Sequence, residues 1–381
     1  MRIALIVPGV GGYLREGHER VIPVLLALIE RLAQHHEVLV IPLDQAERRR
    51  YPLLGATVAT LGRMTGAGAG WWLVGLQRLI SVLRSQGGRP DVLHAFWAGR
   101  PGSWAVAAGH LLRVPVVVSI GGGELVWLPH IGYGGYGSWL KRAKTSLVLR
   151  MADAVSACSR YSLGALTKTR ADAFWLPWSV DWKLFDAPVE RPPGPPWRLL
   201  HVASINRVKD QATLLRALRL VLDHGITFEL DCIGEDTLGG SLQRMSVELG
   251  LAAMVRFHGF KPADEVVPFY RQAHLYVHSS LYESMAAVVL EAAAAGVPTV
   301  GTAVGLIAEM APKAALAVPV GDPTALAQGM LTLLGDPEER ARMGRAAQRF
   351  ARTYDADWTA SQFGALYARL IRGSRSVPLA T

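Results

Sequence analysis

Arg191-Pro-Pro-Gly-Pro-Pro-Trp197 interrupts a chain that otherwise alternates apolar runs with helix-like segments. Four prolines within five positions suit neither a helix interior, where each ring removes an N–H and strikes the preceding turn, nor a central strand. The segment reads as a linker. Beyond it, residues 199–204 restart as a strand, 211–224 as a helix and 228–233 as a strand, with further strands at 255–258, 275–278 and 299–302. Before it, the same alternation holds: strands at 2–7, 37–42, 57–61, 91–94 and 114–119, and helices from about 19 to 34, at 71–85 and at 103–112. The run at 114–119 is apolar throughout, as in a parallel strand covered on both faces. Strands separated by helices of this length imply right-handed βαβ crossovers.

The expected fold is therefore α/β, with two doubly wound, Rossmann-like domains facing a cleft. The boundaries fall at 1–186 and 187–355. The tail from 337 to 371 is helical without intervening strands, and its last part, 356–381, is expected to fold back on the first domain.

Composition narrows the function classes. The chain has 381 residues, half of them hydrophobic and 19% charged, which supplies material for packed cores and argues against disorder. Its two cysteines, Cys158 and Cys232, lie alone in apolar stretches, so neither a disulfide framework nor a thiolate zinc site is expected. No apolar run approaches the ~20 residues of a spanning helix. The N-terminus breaks at Pro8-Gly9 and reads as a buried strand rather than a signal peptide. A cytoplasmic location follows as the expectation. The net charge of +9 sits entirely in the first half, with 21 Lys/Arg against 12 Asp/Glu up to Asp186 and 19 against 19 after it. Such an excess suits an anionic partner, and equally a set of plain solvated arginines.

Three glycine-rich segments punctuate that half. Gly9-Val-Gly11-Gly12-Tyr13 closes the first strand, where backbone N–H groups of Gly11 and Gly12 can meet a ligand's anionic or hydroxyl group. A dinucleotide fingerprint would need glycine at position 14, which is Leu14, and no acid closes the second strand; a dehydrogenase is not indicated. Gly121-Gly122-Gly123-Glu124 follows the 114–119 strand and is expected to line a ligand crevice, or to be a tight turn with no ligand. Gly66-Ala-Gly-Ala-Gly70 reads as a mobile loop.

The chemistry concentrates after the strand at 275–278. In Ser279-Ser-Leu-Tyr-Glu283-Ser-Met-Ala-Ala-Val-Val-Leu-Glu291, Glu283 falls at the strand's carboxyl end and Glu291 about two helical turns on. Eight residues of helix span ~12 Å, too far for an acid/base pair on one bond but suited to two contacts along an extended ligand. The competing reading has Glu283 capping a helix and Glu291 solvated. A basic strand end completes the set: Asn206-Arg207-Val-Lys209 places two cations where a diphosphate would sit, by bidentate and point-charge contacts.

Taken in this order and spacing, these residues resemble those of retaining family 4 glycosyltransferases (glycosyl transferases group 1) with GT-B architecture, over nearly the whole chain. The Glu-x7-Glu motif is matched by Glu283 and Glu291, followed by Ala-Ala-Ala-Ala-Gly-Val-Pro. The interdomain turn appears as Pro177-Trp-Ser-Val-Asp181-Trp-Lys-Leu-Phe185, and Lys209 falls on the family's phosphate-binding lysine. The resemblance implies that Glu283 holds donor-sugar hydroxyls, that Glu291 holds the nucleotide ribose, and that backbone N–H groups of Ser284, Met285, Ala286 and Ala287 bind sugar and diphosphate. It also implies catalysis by Glu283, Lys209 and Glu124, with Arg207 assisting, and retention with the acceptor attacking on the leaving group's own face. It requires no metal or cofactor. The nucleotide sugar is substrate.

Departures from the family pattern are visible. Ser204 stands at the family's arginine position and Met285-Ala286 replaces Phe-Gly. Gly121 stands where the donor-contacting histidine is usual, and Glu124 replaces aspartate. The rival reading is a catalytically degenerate sugar-nucleotide binder; no pyridoxal-lysine motif for a phosphorylase is apparent. The first half would bind the acceptor, carbohydrate or lipid-linked. There Trp71-Trp72 and Trp139-Leu-Lys-Arg-Ala-Lys-Thr145 suit peripheral contact with the inner face of a membrane, although 71–84 also reads as an ordinary core-facing helix. No nucleic-acid module is present.

Overall fold

Apolar runs without polar alternation need cover on both faces, and parallel sheets flanked by helices provide it. The computed structural model describes residues 1–8, 22–43, 45, 47–63, 68–85, 88–186 and 191–373; Gly11 and Gly12 lie outside them. The chain divides into two compact units, Met1–Trp178 with Ala356–Thr381, and Ser179–Asp355. The division thus falls at Trp178/Ser179 rather than after residue 186. The reason is local: Phe185 packs its ring edge against Tyr270 at 5.6 Å, and Asp186 pairs with Arg352 at 2.6 Å, both within the second unit.

The first unit runs β1 (Arg2–Val7), α1 (Pro23–Ala33), β2 (Glu37–Pro42), β3 (Arg50–Leu53), β4 (Ala56–Ala59), α2 (Ala69–Arg84), β5 (Val92–Phe96), α3 (Arg100–Leu112), β6 (Val116–Ile120), α4 (Trp139–Met151), β7 (Ala154–Ala157), α5 (Arg160–Leu166) and β8 (Phe174–Trp175). Its sheet order is β3-β4-β2-β1-β5-β6-β7-β8. All pairs are parallel except β3 with β4. That hairpin was not expected from the sequence. It turns on Leu54 and Gly55, both at positive φ (49° and 82°), the conformation whose twist matches paired strands. The expected loop at 66–70 is in part helix, since Ala69 and Gly70 open α2.

The second unit runs β9 (Trp197–Val202), α6 (Gln211–Asp223), β10 (Phe228–Ile233), α7 (Ser241–Glu248), β11 (Val255–Gly259), α8 (Ala263–Gln272), β12 (Leu275–His278), α9 (Ala287–Ala294), β13 (Thr299–Thr302), α10 (Gly305–Met310), β14 (Leu316–Val318), α11 (Pro323–Gly335) and α12 (Pro337–Thr353). Its order, β11-β10-β9-β12-β13-β14, is parallel throughout. Chain direction across the sheet reverses between β9 and β12, and crevices for ligands open at such points, beyond the strands' carboxyl ends.

The last helix, α13 (Ala356–Ile371), belongs to the first unit. Asp357 pairs with Arg31 of α1 at 2.6 Å, and the Tyr367 hydroxyl meets Nδ1 of the buried His94 on β5 at 2.6 Å.

Candidate active site

Within the second unit, the loops that leave β9 and β12 are stitched together by their own polar groups. Ser279 Oγ donates to the Lys209 carbonyl at 2.8 Å, and the Leu281 N–H donates to the Val208 carbonyl at 2.8 Å. Lys209 Nζ consequently lies 2.5 Å from Glu283 Oε1. The same oxygen accepts from Ser280 Oγ at 2.6 Å and faces His278 Nε2 at 3.1 Å. His278 is fully buried, and its Nδ1 meets the Tyr276 hydroxyl at 3.2 Å. Burial works to raise the Glu283 carboxyl, but the Lys209 ammonium and the His278 hydrogen bond outweigh it and hold the group well below the usual carboxylate range. Oε2 has no hydrogen-bond partner among the described residues. One oxygen is fixed; the other keeps its acceptor capacity for a ligand hydroxyl.

His278 and Ser280 were not singled out in the sequence. The only trace there is polarity at the end of an otherwise apolar strand, Leu-Tyr-Val-His, followed by two serines.

Glu291 sits on α9 and is 6% exposed, which rules out the solvated reading. Its Oε2 accepts from the Tyr270 hydroxyl at 2.8 Å. Burial pushes its carboxyl up to about 7, with the Tyr270 bond pulling the other way. Nor does Glu283 cap the helix: the residue preceding α9 is Ala286, and no side chain caps it. Ala286 holds φ 69°, ψ 80°, a left-handed conformation that glycine adopts freely and alanine does not. That turn leaves the N–H groups of Met285, Ala286 and Ala287 without acceptors among the described residues, at the positive end of the helix dipole. Behind the turn, Leu306 N–H anchors the Met285 carbonyl at 2.9 Å. A Cβ on Gly305 would come within 2.7 Å of that oxygen. Arg207 is exposed on the β9–α6 loop with no partner among the described residues, so the structure does not bring it into the Lys209–Glu283 cluster.

In the first unit, Glu124 folds back on its own turn. Its Oε2 accepts from the Gly122 N–H at 2.7 Å, while Oε1 is buried with no partner. Burial pushes this carboxyl up to about 7, against the lowering effect of nearby N–H groups. Gly121 has a steric reason to be glycine, since a Cβ there would sit 1.9 Å from the Trp178 ring. A Cβ on the neighbouring Gly122 or Gly123 would come within 2.8 Å of Trp97 or 2.6 Å of Tyr133. Trp97 itself carries φ 72° just past β5, a strained conformation of the kind that gathers near functional sites. Of the expected membrane-facing tryptophans, Trp71 and Trp72 are corrected to core-packing residues. Trp71 lies 5.7 Å from the Trp104 ring, and Trp72 Nε1 reaches Ser103 Oγ at 3.4 Å. Trp139, by contrast, is 74% exposed.

Residues 184–350 match the family model described as Glycosyl transferases group 1, and residues 21–173 match the Glycosyl transferase 4-like domain. Residues 184–350 thus carry the group 1 glycosyltransferase domain. Solved GT-B structures share the fold. Sucrose-phosphate synthase from Thermosynechococcus elongatus superposes with a TM-score of 0.77 over 98% of this chain and 100% of that one, at 19% identity. Anabaena HepE, solved in complex with UDP, superposes with a TM-score of 0.72 over 97% and 100%, at 18% identity. Among curated relatives, D-inositol 3-phosphate glycosyltransferase of Corynebacterium glutamicum (strain R) is 32% identical over 185 residues, or 46% of this chain and 44% of that protein. The match therefore spans less than half of that relative's length.

Proposed function

We propose that the protein is a retaining glycosyltransferase that moves a sugar from a nucleotide-sugar donor to a carbohydrate or lipid-linked acceptor in glycan biosynthesis. The observation that carries this reading is the Lys209–Glu283 contact at the β9/β12 crevice. As the bond from the anomeric carbon to the diphosphate breaks, its electron pair stays on the phosphate oxygen. Lys209 and the free N–H groups at the start of α9 are the groups available to stabilise that charge. The acceptor hydroxyl attacks on the same face and gives its proton to the departing phosphate oxygen, which retains the anomeric configuration. Glu283 Oε2 accepts hydrogen bonds from sugar hydroxyls, Glu291 from the ribose, and Glu124 contributes from the first unit. Protein cations supply the positive charge in this scheme without a metal. The UDP, UDP-glucose and glucose complexes of HepE support a nucleotide-sugar donor.

No helix among the described residues is long and apolar enough to cross a membrane. Helix α4 carries exposed Trp139 and Leu140 beside Lys141, Arg142 and Lys144, which suits peripheral docking at the cytoplasmic face of an anionic bilayer.

One observation favours the second reading, a sugar-nucleotide binder without turnover: the space beside Gly121, where the family has a histidine, is filled by Trp178. A panel of UDP-, GDP- and ADP-sugars, assayed for release of the nucleoside diphosphate with lipid and glycan acceptors, separates the two. Turnover that Glu283→Gln abolishes supports transfer. Saturable binding with no consumption of any donor supports the binder.

A further inference from the structure

The α9 helix has a second polar environment at its other end. Past its C-terminus, a cavity of about 600 Å³ opens between the proline segment that precedes β9, the residues after α9 and one face of α12. Three arginines line it, Arg191, Arg340 and Arg345, and no Asp or Glu does. None of the three forms an ion pair among the described residues. Glu190 lies outside the described residues, and Glu339, beside Arg340, pairs with Arg342 at 2.5 Å. Asp336 accepts from the Glu339 N–H at 2.9 Å as the cap of α12, and Asp186 is held by Arg352 at 2.6 Å.

The three guanidiniums are held differently. Arg340 donates to the Leu333 and Leu334 carbonyls at 2.9 and 3.0 Å and lies over the Trp197 ring at 4.6 Å. It is a fixed wall. Arg191 donates Nη2 to the Ala295 carbonyl at 2.8 Å, yet its Nε is buried with no hydrogen-bond partner. Arg345 is exposed on α12 and has no partner among the described residues. Burial and the adjacent Arg340 both push the Arg191 guanidinium below its ordinary value. His274 adds no negative charge: its Nδ1 accepts from the Arg198 N–H at 2.9 Å, which leaves Nε2–H to donate to the Pro192 carbonyl at 2.7 Å.

A buried, unpaired guanidinium N–H beside two further cations is costly unless an oxyanion completes it. Planar guanidiniums match phosphate and carboxylate oxygens in pairs. We propose that this cavity is a second anion-binding site of the second unit, taking a phosphate or the phosphoryl group of a small metabolite between Arg191 and Arg345. It shares no residue with the Lys209–Glu283–Glu291 cluster and does not depend on the transferase reading. Its volume lies within the range of small-molecule sites. The competing account is that Arg191 and Arg340 only satisfy carbonyls at the ends of α9 and α11.

The experiment is thermal unfolding of the full chain titrated with inorganic phosphate at constant ionic strength. The wild type is compared with Arg345→Glu and with the double variant Arg207→Met, Lys209→Met. Arg345 is exposed and unpartnered, so Arg345→Glu tests the site without disturbing a core contact. The expected result is a saturable rise in melting temperature that survives in the double variant and whose phosphate Kd increases at least tenfold in Arg345→Glu. A response lost in the double variant but intact in Arg345→Glu would place the anion at Lys209 and overturn the proposal. So would the absence of any saturable response.

Discussion

Lys209 Nζ and Glu283 Oε1 lie 2.5 Å apart although they leave different strands, β9 and β12. Two loop-to-loop hydrogen bonds hold them in register, and His278 supports the carboxylate from beneath. A contact of this kind is built into the sheet's reversal point, before any ligand arrives. On the transferase reading, Glu283→Gln and Glu291→Gln each lower kcat/KM for the donor at least tenfold, because each removes charge-assisted hydrogen bonds of ~1.5–3 kcal/mol. Steady-state donor kinetics check this, and wild-type values in both variants would contradict the assignment.

Glu291 also sets a pH signature. Its carboxyl has an ordinary value of 4.5 and rises to about 7 in the fold. The folded chain therefore binds this proton more tightly than the unfolded chain. The resulting stabilisation is complete below pH 4.5 and is lost as pH climbs to about 7, a span of about 3 kcal/mol. Glu291→Gln stays neutral, so its stability relative to wild type is greater at pH 8 than at pH 5. Urea unfolding at the two pH values measures the difference; equal values would refute it.

Ala286 occupies the left-handed turn before α9. Ala286→Gly relieves the Cβ strain and is expected to raise stability by roughly 0.5–1 kcal/mol despite the greater freedom of glycine when unfolded. Denaturant titration reads this directly. A loss of stability would show that the turn is held by the alanine methyl.

Glu124 titrates near neutrality because its carboxyl is buried with one oxygen unpaired. On the transferase reading the carboxylate is the stronger acceptor for a substrate hydroxyl, so kcat/KM is expected to rise through about pH 7. Glu124→Gln should erase that ionisation from the profile. Its persistence in the variant would assign it to another group.

For α4, co-sedimentation with vesicles provides the test. Trp139→Ala combined with Lys141→Glu and Lys144→Glu should cut binding to anionic vesicles at least tenfold. Wild-type binding to neutral vesicles should be weak. Unaltered sedimentation of the triple variant would remove α4 from consideration.

The strands of the second unit were legible because continuous apolar runs bounded by loops have few alternatives in a parallel sheet; β10, β12 and β13 fall where the sequence puts them. Much of the region between β6 and the linker was not read. There β7 is Ala-Val-Ser-Ala and β8 has two residues, too small or too short to give an apolar signal. At the candidate site, Lys209, Glu283 and Glu291 were singled out by their placement after strands together with the family resemblance. His278, Ser280 and Tyr270 were not: the first two meet Glu283 only because the chain turns back after β12, and Tyr270 reaches Glu291 from α8. The glycines at 121–123 were read without their packing. A ligand loop was expected, and the packing of Trp178 against Gly121 supplies the reason for at least one of them.

Helix α13 closes the first unit from the far end of the chain, with Tyr367 reaching the imidazole of His94, which burial pushes down to about 3. In topological terms, Ser179–Asp355 is an insertion within its host. During synthesis the host sheet must wait, with the α1 and β5 surfaces that receive α13 uncovered, until the whole insert has left the ribosome. A fragment ended at Trp178 would stay in that unfinished state, whereas 179–355 is a continuous piece that can be made by itself.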